Sequence, residues 1–107
     1  MSEKLIITST DYYKRRIKRL IKKYPSLAQE ARVLEEKLTE NPTLGDRITE
    51  NCYKIRLAIS SKGRGKSGGA RVITYFLLQD NTLYLLDIYD KSEQEDLSLE
   101  IIKIFKE

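Results

Sequence analysis

The stretch Ala70-Arg71-Val72-Ile73-Thr74-Tyr75-Phe76-Leu77-Leu78 constrains the fold of this chain most, being β-branched, aromatic or aliphatic at nearly every position. Successive side chains of a strand leave opposite faces, so such a segment has no polar side for water and belongs inside a sheet. Its neighbours in sequence fit that place. In 52–59, Tyr53, Ile55, Leu57 and Ile59 leave one side while Lys54 and Arg56 leave the other. A third strand follows at 82–89 after a tight turn at Asp80-Asn81, and Lys4 to Thr8 (KLIIT) predicts a short first strand.

From Asp11, apolar residues recur at helical spacing through Tyr13, Ile17, Leu20, Ile21 and Tyr24; Thr10 suits the cap and Pro25 the stop. Ser26 and Gln29 have capping-box spacing and open a second helix striped by Leu27, Ala31, Leu34 and Leu38, ending near Asn41-Pro42. Thr43 to Asn51 reads as a loop turning at Gly45. Ser92 and Glu95 repeat the capping spacing ahead of a last helix whose Leu97, Ile101, Ile104 and Phe105 share a face. The order β-α-α-β-β-β-α over a single domain, 1–107, predicts an α+β fold. Its helices pack on one face of a largely antiparallel four-stranded sheet, leaving the other face as a working surface.

Charge is distributed unevenly. Residues 14–23 carry seven cations and no acid, and the acid-free run 51–79 carries six more: Lys54, Arg56, Lys62, Arg64, Lys66 and Arg71. The remaining seven cations share the rest of the chain with all sixteen acids. A two-sided surface of this kind attracts polyanions, of which nucleic acid is the commonest in a cytoplasm. Lys14, Arg15, Lys18, Arg19 and Lys22 on the first helix form a face able to lie along a phosphate backbone.

Several classes are set aside. Loop 63–68 (GRGKSG) fits the letters of a nucleotide-binding glycine motif, but the strand after Gly69 stands where that motif needs a helix. With no histidine and one cysteine, the chain has neither a zinc ligand cluster nor an internal disulfide, and Cys52 reads as a core residue. No metal or cofactor is expected. No apolar run is long enough to cross a bilayer and the start lacks the layout of a secretion signal, so the expected location is cytoplasmic, away from membranes.

Three segments resemble the RelE/HigB-type toxins of the RelE/ParE superfamily. Cys52-Tyr53-Lys54-Ile55-Arg56-Leu57 is similar to the second-strand motif of RelE, and Gly63 to Ile73 (GRGKSGGARVI) to the loop and third strand of HigB-type members. Leu85 to Glu93 (LLDIYDKSE) is similar to their closing strand and helix start, although Asp90 stands where many relatives carry a small residue. The resemblance implies the toxin of a type II toxin-antitoxin system. Such a toxin is a ribosome-dependent, metal-independent endoribonuclease that cleaves messenger RNA in the A site, held inactive by a cognate antitoxin of the helix-turn-helix type.

Cleavage by the RNA 2′-hydroxyl needs a base, positive charge on the phosphorane and an acid for the leaving 5′-oxygen. In a chain without histidine these duties fall to other groups. The resemblance implies Lys54 as base, Arg56 and Arg71 holding the phosphate through their forked guanidinium groups, and Tyr89 and Lys91 as stacking, acid or charge-stabilising groups. Lys62, Arg64 and Lys66 would grip ribosomal RNA. A ParE-like gyrase inhibitor, or a basic RNA-binding module without catalysis, are the competing readings.

Overall fold

Strand β4 (Ala70–Leu77) occupies the middle of the sheet, with its first six residues buried. In the computed structural model, which describes residues 4–62 and 68–93, it pairs antiparallel with β3 (Cys52–Leu57) and with β5 (Thr82–Asp90). Strand β1 (Ile6–Ser9) lies parallel to β5, and β2 (Asp46–Thr49) lies antiparallel to β3. The sheet therefore has five strands in the order β1-β5-β4-β3-β2, one more than the sequence pattern predicts. The added strand comes from the segment read as a loop. Asp46-Arg47-Ile48-Thr49 has a single apolar residue, Ile48, which is itself exposed, so no alternation marks it. Backbone pairing with β3 alone makes it a strand, and its shortness suits a sheet edge. Left-handed residues bracket it, Gly45 at φ 106° and Asn51 at φ 65°.

Helix α1 (Asp11–Lys23) begins as the pattern predicts: the Tyr13 amide donates to Thr10 Oγ1 at 3.0 Å. The same hydroxyl donates to the Leu86 carbonyl at 3.0 Å, so the cap also fastens the helix to β5. Helix α2 (Leu27–Glu40) starts differently from expectation. Ser26 is in the right-handed helical region and makes no capping bond; its hydroxyl donates to Glu30 at 3.0 Å and accepts from the Ser61 amide at 3.0 Å. Glu30 in turn accepts from the amide and hydroxyl of Ser60, both at 2.8 Å. A tertiary contact has taken the groups that local spacing would have paired.

Tyr13, Leu20, Leu27, Leu34 and Leu38 pack against Ile55, Ile59, Val72, Leu83, Leu85 and Ile88, forming the main core beneath the helices. The opposite face was expected to be a free working surface. It instead holds a second buried cluster: Cys52, Ile73, Tyr75, Leu86 and Tyr89. The cause is the two-sided hydrophobicity of β4, which requires cover on both sides. A bulge in the β4–β5 ladder passes over Leu86, between the pairs Ile73–Asp87 and Thr74–Leu85. It shifts the alternation, so that Leu86 and Tyr89, three residues apart, serve one face. The helix expected after Ser92 lies outside the described residues.

Candidate functional site

The strand registers bring together residues scattered over the second half of the chain. Arg56 stands opposite Arg71, and Arg71 opposite Tyr89, in one row across β3, β4 and β5. Residues directly opposite on paired strands share a face. Lys54 belongs to the next row, opposite Ile73, and two residues from Arg56 it lies on the same face. Lys91 follows β5 immediately, and its amide donates to the Gly69 carbonyl at 3.0 Å. The five cations and aromatics expected to act together are thus gathered at one end of three adjacent strands.

Their accessibility differs. Arg56 is exposed and Lys54 and Lys91 are half-buried, whereas Arg71 is 6% exposed and Tyr89 0%. Arg71 donates from Nη1 to the Ala70 carbonyl at 3.1 Å. Tyr89, expected as a stacking or acid group, is here part of the second apolar cluster rather than an open platform for a base. Where β2 ends opposite Lys54, the outer side of β3 is left without a strand neighbour, and a cleft of about 730 Å³ opens between it and α2. Lys54, Arg56, Val33, Leu34, Lys37 and Leu44 are among its walls, and Arg71 is not.

The cations of α1 make a separate surface. Lys14, Arg15, Lys18, Arg19 and Lys22 are all exposed, on a helix whose Tyr13 and Leu20 enter the main core. Lys14, Lys18 and Lys22 recur every fourth residue and so line up along the helix. Arg19 and Lys23 approach Glu93 at 3.5 and 4.0 Å, loose contacts between side chains about half exposed.

Lys62 departs from expectation. Rather than reaching outward for RNA, its side chain is 8% exposed and its ammonium is enclosed. It pairs with Asp90 Oδ1, donates to the Gly68 carbonyl at 2.7 Å and to Ser92 Oγ at 3.2 Å, and lies 5.4 Å from the centre of the Tyr24 ring. Burial alone would raise the Asp90 carboxyl, but hydrogen bonds from Lys62, from the amide and hydroxyl of Ser92 and from Tyr24 outweigh it and hold the group well below the usual carboxylate range. Tyr24 donates to Oδ2 at 2.8 Å, and the Ser92 amide and hydroxyl to Oδ1 at 2.9 and 2.8 Å. Asp90, the residue that breaks the resemblance, is therefore the centre of a fully bonded buried network. Its signal in the sequence was slight: one acid after an apolar strand, facing an acid-free run. Arg64 and Lys66 lie outside the described residues.

Among the described residues, Asp87 is the other buried acid. It is 0% exposed, with Arg16 Nε 3.4 Å from Oδ1. Burial pushes its carboxyl up to about 6, against the opposing pull of the Arg16 charge and the Ile88 amide. Cys52 is buried, as its sequence context predicts. Among the described residues no group of three or more metal-ligating side chains occurs, and no helix is long and apolar enough to cross a membrane.

No family model matches the chain. Among solved structures it is similar to a double arginine-to-alanine variant of E. coli toxin RelE in the free state, with a TM-score of 0.59 and 14% identity over 87% of this chain and 90% of that one. The fold is RelE-like.

Proposed function

We propose that this protein is the toxin of a toxin-antitoxin pair, acting in the cytoplasm as an endoribonuclease that cuts messenger RNA on the ribosome. The observation that carries this reading is the Arg56–Arg71–Tyr89 row with Lys54 beside it, set on a RelE-like fold. Attack of the 2′-oxygen on phosphorus forms a dianionic phosphorane and expels the 5′-oxygen, leaving a 2′,3′-cyclic phosphate and a 5′-hydroxyl. Arg56 is exposed and can meet that charge with paired N–H donors, and Arg71, directly opposite but 6% exposed and bonded to the Ala70 carbonyl, adds its guanidinium once it turns outward. In this reading Lys54, on the same face as Arg56, takes the 2′-proton, and Lys91, just past the end of β5, supplies charge or a proton at the leaving oxygen. Tyr89, being buried, backs Arg71 across the ladder in this reading. The exposed row on α1 contributes sequence-independent attraction to ribosomal RNA, and an antitoxin of the helix-turn-helix type is the partner that the sequence resemblance supplies.

The test is a map of messenger RNA 5′ ends after brief induction, in cells making the wild type or Arg71→Ala. In-phase cuts that depend on ribosome engagement and disappear in a folded Arg71→Ala protein are the expected result. Growth arrest with transcripts intact would overturn the reading. If supercoiling were then impaired, gyrase would become the target; if ribosomes were bound without cutting, the α1 surface would make the protein a basic RNA-binding module.

A further inference from the structure

We infer that Asp90, through Lys62 and Tyr24, is a positioning residue: it clamps the two stems of the glycine-rich loop to the end of β5 and so sets where Arg71 and Lys91 stand. This rests on the phosphate-site reading for its functional half, and on geometry alone for its structural half.

Three segments reach this carboxylate. Tyr24 reaches it from the end of α1, Lys62 from the stem entering the loop, and the amide and hydroxyl of Ser92 from the turn after β5. The Lys62 ammonium then crosses to the Gly68 carbonyl on the returning stem, tying together the described residues on either side of 63–67. The entering stem is also tied to α2 by the Ser60 and Ser61 contacts with Glu30 and Ser26.

The candidate site adjoins the clamp on both strands. Asp90 pairs in register with Ala70, whose neighbour is Arg71, and it precedes Lys91, whose amide is fixed to Gly69. Loosening the clamp therefore frees both cations at once. A lysine could neutralise one acid anywhere on a surface; here the pair is nearly sealed from water, with side chains 8% and 0% exposed. A buried pair of this kind is weak as a source of stability but strong as a specifier of geometry, because its partners must stay where their bonds are satisfied.

The test uses the full chain as Asp90→Asn, Lys62→Met and the double variant, read by amide hydrogen exchange, thermal melting and single-turnover cleavage on programmed ribosomes. Each single variant leaves a buried charge or donor without its partner and melts early. The double variant removes both and regains most of the melting temperature. The clamp predicts that the Lys91 amide nonetheless exchanges about tenfold faster or more in the double variant, and that cleavage slows at saturation while half-saturation by ribosomes stays unchanged. Wild-type exchange at Lys91 and a wild-type turnover in the double variant would overturn it, leaving only a charge-neutralising pair. Should the wild type itself make no cuts, the functional reading falls, and the exchange experiment still decides whether the clamp exists.

Discussion

Replacing Asp87 with Asn should stabilise the protein at neutral pH. Asp87 is fully buried, and its carboxyl stands at about 6 against an ordinary value of 3.8, chiefly because burial penalises the charged form. Between those two values the native state holds more protons than the unfolded chain, so stability is greatest below about pH 4 as far as this group is concerned, and is lost as pH rises through 6. At ~1.4 kcal/mol per pH unit, the difference is about 3 kcal/mol as an upper limit. The opposing effect is loss of the Arg16 charge contact, at 3.4 Å. Arg16 is 22% exposed in its side chain and also lies over the Tyr12 ring, 5.2 Å from its centre, so it is not stranded when the carboxylate goes. Burial of the anion therefore wins, and the expected gain at pH 7.5 is about 1–3 kcal/mol, or several degrees in Tm for a domain of this size. Urea or thermal unfolding of wild type and Asp87→Asn at pH 4, 5, 6 and 7.5 should give curves that converge towards acid and separate towards neutrality. A variant less stable than wild type at pH 7.5, or a separation that does not change with pH, would refute the reasoning.

Asp90 behaves in the opposite sense, because its carboxyl is held low: its contribution is present above the ordinary carboxylate value and is lost as pH falls below it. Acid unfolding of Lys62→Met should accordingly show a shallower loss at low pH than wild type, measured by far-UV circular dichroism. Gly69→Ala would place a methyl carbon 2.1 Å from the Leu57 carbonyl oxygen, a backbone atom that cannot swing aside; a loss of about 1–3 kcal/mol in denaturant unfolding is expected. Thr10→Ala removes both the α1 cap and the bond to Leu86; it should lose ~1 kcal/mol or more, and Thr10→Ser should recover most of it.

The sequence by itself determined the elements whose residues repeat with a period. The stripe Leu27, Ala31, Leu34 and Leu38 is buried as a unit, and Thr10 and Pro25 delimit α1 through local backbone chemistry that needs no partner. Placing Lys54 and Arg56 on one side of β3 followed from alternation alone. Tertiary structure decided everything that depends on which strand lies beside which. Asp46–Thr49 became a strand only because β3 offered it an edge; Ser26 left its capping role because Ser61 came within reach; and the face open to Arg56 and Lys54 was in part closed because β4 is apolar on both sides. The row of Arg56, Arg71 and Tyr89, and the enclosure of Lys62 by Asp90, join residues up to 33 positions apart along the chain. Periodicity reports how a segment divides water from core; register and charge pairing are properties of two segments at once, and they exist only after the chain has folded.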